Sequence, residues 1–292
     1  MDRRKFVAMM SGTIALSSAG ALSSFTDILP ETDTRTPVLF VGHGSPMNGI
    51  EDNAFSQYWK KLATEIIKPT AILCISAHWL TKGTFVTATE KPSTIHDFGG
   101  FPDELFAVQY PAPGHPELAK ETAELITNTT VHLDSDWGMD HGTWTILRHM
   151  YPEATIPVLQ LSIDFYQGAQ YHFELAKQLS SLRKKGVLII GSGNMVHNLG
   201  MVAWDKLNEP FGFDWALEMN ELFKTKITEN DHASLINYQS LHPAAMKAIP
   251  SPDHYLPLIY TLGLKNDKDS VSFFNDQAMA GSLTMTSVKF SE

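Results

Sequence analysis

The chain has 292 residues, 43% hydrophobic and 18% charged, a composition able to bury a sizeable core within one domain. A formal net charge of −10, with no Lys/Arg-rich run after the first few residues, excludes a phosphate-neutralising nucleic-acid surface. With Cys74 as the only cysteine, neither an intramolecular disulfide nor a thiolate zinc cage can form, so any metal site must draw on carboxylates and the 12 histidines.

Residues 1–26 read as a signal peptide: a charged start, a moderately apolar stretch rich in Ala, Gly and Ser, and a small-x-small site at Ala19-Gly20-Ala21. Arg3-Arg4 followed by Lys5-Phe6-Val7 resembles a twin-arginine signal, which hands folded proteins to the export machinery and predicts a periplasmic or otherwise exported product. No later run is long and apolar enough to span a membrane, so no stable membrane insertion is expected once the signal is removed. A polar linker, 27–36, leads into an apolar strand at 37–41 that breaks at Gly42-His43-Gly44-Ser45-Pro46. A helix is expected at 54–67, then a buried strand at 71–77 that holds Cys74 and ends at His78-Trp79. Residues 84–89 alternate like a strand, and 116–127 have helical spacing with Pro116 at the start. The segment 137–144, with two tryptophans and Gly138 and Gly142 around His141, reads as a glycine-punctuated loop. Buried strands follow at 156–163 and 187–191 with a helix at 169–184 between them, then helices at 215–228 and 254–262, and paired strands at 271–274 and 282–290. Strands alternating with helices predict an α/β fold: a single domain over 37–292, with a central, mostly parallel mixed sheet flanked by helices on both faces.

In such sheets functional groups gather where strands end and loops begin. Three buried strands deliver a histidine there: His43, His78, and His197 at the end of Gly191-Ser192-Gly193-Asn194-Met195-Val196. A lone histidine after a strand is usually a hydrogen-bonded loop residue. Three at equivalent places, each beside Gly or Ser that lets the backbone crowd close to an ion, point to an imidazole site suited to Zn, Fe, Cu or Ni. His254 follows Pro250-Ser251-Pro252-Asp253, a stiff approach in which Asp253 is placed like a helix N-cap and is also open as a ligand. His141 is walled by aromatics, where small neighbours tune its proton affinity. His96, in Ile95-His96-Asp97-Phe98-Gly99-Gly100-Phe101, belongs to a loop placed to line a pocket, whereas His115, His132, His149, His172, His232 and His242 read as structural or exposed.

The segments Gly42-His43-Gly44-Ser45-Pro46, Ser76-Ala77-His78-Trp79, Asp140-His141-Gly142-Thr143-Trp144, Gly191-Ser192-Gly193-Asn194-Met195-Val196-His197-Asn198 and Pro252-Asp253-His254 occur in an order that resembles the class III extradiol ring-cleavage dioxygenases, in their DOPA 4,5-dioxygenase branch. The resemblance runs from about residue 37 to the C-terminus. It implies a metal held by His43, His78 and His254, with His197 beside it as acid/base or additional ligand, and His141 as a second active-site histidine. Many non-haem Fe(II) oxygenases use two histidines and a carboxylate. Here His254 stands where the carboxylate would be, so Fe(II) is expected in the active enzyme while Zn(II) enters the same site readily. An export signal is a second departure, since relatives of this kind are expected in the cytoplasm.

The implied reaction takes a catechol and O2. His197 would be the base for a catechol proton and His141 an acid that assists O–O cleavage, with Trp79, Trp144, Phe98 and Phe101 as candidates for an aromatic-lined pocket. Three rival readings share parts of the pattern. A tetrapyrrole metal chelatase also begins with a strand and Gly-His-Gly-Ser, a zinc hydrolase would use the same ligands with a bound hydroxide, and an exported metal-binding protein would need no chemistry. Acid/base histidines beyond the ligands favour catalysis over binding alone.

Overall fold

The long apolar runs of the sequence become the strands of one six-stranded sheet in a computed structural model that describes residues 29, 31, 34–207 and 209–292. The expected signal segment, 1–26, lies outside the described residues, as does part of the 27–36 linker. The strands are β1 (Val38–Gly42), β2 (Ala71–Ser76), β3 (Val158–Gln160), β4 (Val187–Gly193), β5 (Ser270–Phe274) and β6 (Ser287–Ser291), in the spatial order β3-β2-β4-β1-β6-β5. The first four in that order run parallel, with Ile72 opposite Val158, Ala71 opposite Val187 and Val38 opposite Ile189. The last two close the sheet antiparallel, pairing Phe40 with Val288 and Lys289 with Ser272.

β1, β2 and β4 are buried along their whole length because both faces of the sheet are covered. Alternate residues point to opposite sides, which splits the core in two. Val38, Phe40, Leu73, Ile75 and Ile189 share one cluster with Leu258, Ile259 and Leu262 of α6 (Leu256–Leu264) and with residues of α4 (Ala169–Lys177) and α5 (Asp214–Thr228). Leu39, Val41, Ile72, Cys74 and Ile190 share the other with Phe55, Trp59 and Leu62 of α1 (Ala54–Glu65) and with Trp144 and Leu147 of α3 (His141–Met150). Helix α2 (Pro116–Leu125) packs its Leu118 and Ala119 into the first cluster. Helices therefore flank a mostly parallel mixed sheet on both faces, as the alternation of strands and helices predicts.

Several expected elements differ. The strand at Thr84–Thr87 joins Val131–Asp134 in a separate parallel pair rather than the main sheet. The 156–163 run divides: Val158–Gln160 stays in the sheet, while Ile163–Asp164 leaves it to pair with Leu80–Thr81. The 169–184 helix ends at Lys177 and continues as a 3-10 turn, Ser180–Lys185, closed by Gly186 at φ 76°. The expected loop at 137–144 is instead entered by α3 at His141. The Asp140 carboxylate accepts from the Thr143 N–H, a capping bond that outweighs Gly142, and the buried Trp144, Ile146, Leu147 and Met150 supply the apolar face. At the far end of the molecule, buried Arg183 clamps Asp269 with Nη1 and Nη2 at 2.6 and 2.8 Å and gives Nε to the Thr36 carbonyl at 2.9 Å.

β2, β4 and β1 are immediate neighbours running the same way, with Gly42 level with Gly193 and Ser76 level with Ser192. Their carboxyl ends thus meet on one edge, where the site forms.

Candidate metal centre

His43 follows β1, and its Nδ1 lies 2.9 Å from Ser192 Oγ. The Ser192 hydroxyl gives its single proton to the Gly142 carbonyl at 2.6 Å. It must therefore accept from His43, which fixes that ring as the Nδ1–H tautomer. His78 follows β2, its N–H donating to Ser76 Oγ at 3.2 Å while Ser76 donates to Asp140 Oδ1 at 2.7 Å. His254 sits just before α6 and donates Nδ1–H to Asp253 Oδ2 at 2.7 Å; its carbonyl accepts the Asn194 N–H at 2.9 Å. His141, the first residue of α3, gives both its backbone N–H and Nδ1–H to the two oxygens of Asp97, each at 2.9 Å. His197 is held by its N–H to the Ala248 carbonyl at 2.9 Å, with its ring stacked on His254 at 3.6 Å and 6°. A side chain on Gly193 would come within 2.1 Å of the His254 carbonyl, and one on Gly142 within 2.5 Å of Ser76 Oγ and 2.9 Å of His78 Cδ2. These two glycines let the elements close onto each other.

All five predicted site histidines thus converge on one sheet edge. The ring centroids of His43, His78 and His254 form a near-equilateral triangle with sides of 5.0, 5.1 and 5.3 Å. His141 sits asymmetrically, 3.8 Å from His78 and 5.5 Å from His43. Among the described residues, one ring nitrogen each from His43, His78 and His141 lies within 4.8 Å of the other two. The Nε2 atoms of His43 and His78 are 3.1 Å apart.

Burial, and then the neighbouring imidazoles, hold His43 and His78 well below the usual histidine range, so both are neutral at pH 7. His78 Nδ1 lies 3.3 Å from Asp97 Oδ2, an oxygen with no proton to give, which favours the proton on that nitrogen. The Nε2 atoms of His43 and His78 face each other within hydrogen-bond reach, and a cation bound between them would take both lone pairs. A spacing of 3.1 Å is also what two nitrogens have when each is about 2.0–2.1 Å from one ion. The residues present fit a divalent metal, and each Nδ1 partner plays the orienting part that ligand histidines require.

Asp253 is not the N-cap of α6. Tyr255 occupies the cap position, and the Asp253 carboxylate accepts from His254 and from the Ser251 hydroxyl. Those bonds overcome burial and hold it well below the ordinary carboxylate range. Trp144 is fully buried with Nε1 donating to the Ile95 carbonyl at 2.9 Å, and Trp79 is buried in a stack with Trp137, so both belong to the core. Phe98 and Phe101 are half-buried, and Phe98 meets His141 edge-on at 5.6 Å. His96 is apart from the cluster, its Nε2 donating to the Val108 carbonyl at 3.0 Å. His115, His149 and His172 have partners elsewhere, at Leu118 N, the Asn48 carbonyl and Tyr260. Asp97, Ser192 and Asp140 are functional neighbours that sequence reasoning passes over, since nothing in their spacing ties Asp97 to His141 44 residues away.

The family described as the catalytic LigB subunit of aromatic ring-opening dioxygenase matches residues 36–288. The chain belongs to this family and is an extradiol ring-cleaving dioxygenase. It is 45% identical over 262 residues to a 4,5-DOPA dioxygenase extradiol of Escherichia coli (strain K12), covering 88% of this chain and 96% of that one. Identity to the 4,5-DOPA dioxygenase extradiol of Beta vulgaris is 34% over 265 residues, 88% of this chain and 97% of the relative. The crystal structure of an uncharacterized protein from Escherichia coli K12 superposes with a TM-score of 0.77 at 41% identity, covering 87% of this chain and 99% of that chain. A family match over nearly all of the described residues sets aside the chelatase and hydrolase readings.

Proposed function

We infer that the histidine cluster is a single Fe(II) site at which O2 opens a catechol ring beside its diol. The observation that carries the assignment is the triangle of His43, His78 and His254, three rings evenly spaced around one point. His197 instead stacks on His254, and His141 lies closer to His78 than to His43, as groups beside a metal do. His43, His78 and His254 would therefore hold the metal. Bound there, Fe(II) supplies a Lewis acid for the catechol oxygens and a centre able to exchange electrons with O2, which zinc cannot do.

His197 is the proton acceptor for the catechol hydroxyl. Burial, and then His254, pull it down to about 3, so it is unprotonated at neutral pH, the state a base requires. His141, oriented by Asp97 and 3.8 Å from the His78 ring, moves the second proton at its Nε2. Phe98, edge-on to His141, and Phe101 against it form the apolar wall for the ring. The names of the relatives support DOPA or a catechol with a similar side chain as substrate. The expected signal at 1–26 supports export, where such an enzyme would meet aromatics outside the cytoplasm.

Full-length protein reconstituted with Fe(II) is expected to turn DOPA into a yellow conjugated semialdehyde, followed by its visible absorbance under reducing conditions. Zn(II)-loaded protein is expected to leave DOPA unchanged. Equal rates with the two metals would contradict the iron assignment.

A further inference from the structure

The loop 95–101 is anchored without its acidic side chain. The Ile95 N–H donates to the Met139 carbonyl at 2.7 Å, the Ile95 carbonyl accepts from Trp144 Nε1 at 2.9 Å, and His96 Nε2 reaches the Val108 carbonyl at 3.0 Å. Among the described residues, the polar contacts of the Asp97 carboxylate are to histidines of the cluster. Oδ1 accepts the His141 N–H, and Oδ2 accepts His141 Nδ1–H at 2.9 Å with His78 Nδ1 3.3 Å away. His43 and His254 have acceptors of their own, Ser192 and Asp253. Asp97 reaches the Nδ1 atoms of two rings, one that the preceding reading makes a metal ligand and one that it makes an acid/base group.

We propose that Asp97 is the positioning residue of the centre: it fixes the Nδ1–H tautomer of both His78 and His141 and holds the two rings in register. A carboxylate that only accepts hydrogen bonds holds the His141 proton on Nδ1, and its 3.3 Å approach to His78 Nδ1 favours the same tautomer there. Both Nε2 atoms are thereby left toward the metal and the substrate. Phe98, the next residue, meets His141 edge-on at 5.6 Å. Asparagine at this position would keep the size but offer N–H as well as oxygen, so it would no longer dictate which ring nitrogen carries the proton. Loss of such an orienting partner lowers metal affinity by about 10–100-fold.

The proposal rests on the ligand assignment above, and its test is made without substrate so that the two fail separately. Full-length zinc-loaded protein with ¹⁵N-labelled histidine is compared by NMR for wild type, Asp97→Asn and Asp97→Glu, together with a Zn(II) titration. In Asp97→Asn the Nδ1–H signals of His78 and His141 are expected to be lost while those of His43 and His254 persist, and the Kd for Zn(II) is expected to rise about 10–100-fold. Asp97→Glu, which keeps an acceptor-only group, is expected to retain the His141 Nδ1–H signal and to bind Zn(II) more tightly than Asp97→Asn. Unchanged signals and wild-type Zn(II) affinity in Asp97→Asn would overturn the proposal. So would equal damage in both variants, or the loss of all four signals together, because either would mean that Asp97 supports the fold and not the two rings. A wild-type enzyme inactive on catechols would sink the dioxygenase reading and leave these signals as expected.

Discussion

His43, His254 and His197 are each held by a neighbour of their own while His78 and His141 share Asp97, and the ligand and acid/base roles should give single replacements distinct effects. His43→Ala, His78→Ala and His254→Ala are each expected to strip bound iron, measured as metal per chain after reconstitution. His141→Ala is expected to keep nearly full metal and to lose about 10²–10⁴-fold in turnover, the scale of a lost acid/base group. Metal loss in His141→Ala equal to that of the three ligand variants would show that its closeness to His43 and His78 reflects ligation. At this scale the sequence was informative wherever a histidine ended a buried strand, because an apolar run followed by Gly, Ser and His has one plausible place in an α/β sheet. It was uninformative about the acceptors. Asp97 looks like any loop acid, and Asp253 looks like a helix cap until its carboxylate is seen on the imidazole of its own neighbour.

Elements place these residues, and their legibility followed the strength of the local pattern. β1, β2 and β4 are unbroken apolar runs and were readable to within two residues. The start of α3 was not, because Gly138, Gly142 and two tryptophans imitate a loop, whereas Gly142 is small so that the helix can seat against Ser76 and His78. The division of the 156–163 run was hidden for another reason: Ser162 N donates to the Phe85 carbonyl, a pairing with a distant strand. Stability at the opposite end rests on the buried pair Arg183–Asp269, which ties the turn before β4 to the start of β5. Burial pushes the Asp269 carboxyl up, but Arg183 and the Asn266 N–H together bring it below the ordinary value. A folded-state value that is depressed stabilises the protein fully above the unfolded value, about 3.9, and that stability is lost as pH falls through the folded value. Asp269→Asn is expected to cost about 3–5 kcal/mol at pH 7 by leaving the guanidinium uncompensated. Its denaturant midpoint should also fall less steeply than that of wild type below about pH 4. A variant as stable as wild type at pH 7 would show that Arg183 is satisfied by the Thr36 and Leu264 carbonyls alone.

For the whole molecule, a doubly covered parallel sheet leaves one edge where three strand ends, a helix start and the approach to α6 meet, and that edge is where all five histidines lie. Among the described residues no helix is long and apolar enough to cross a membrane. Export is proposed from Arg3-Arg4 and the small residues after them. Arg3→Lys with Arg4→Lys should leave the protein in the cytoplasm, and exported wild-type protein should begin near Leu22; an intact Met1 on protein from the natural host would contradict this. The class of reaction was legible because the histidine segments are spread in a fixed order along nearly the whole chain. The substrate was not, since nothing in the spacing of Phe98 and Phe101 names the side chain of the catechol. The most direct measurement is oxygen accounting in ¹⁸O2 with the Fe(II)-reconstituted enzyme and DOPA, by an oxygen electrode and mass spectrometry of the product. One O2 consumed per catechol opened, with label in the newly formed carboxylate, is the predicted result. Catechol left intact with no O2 consumed, or product oxygen drawn only from water, would contradict the account.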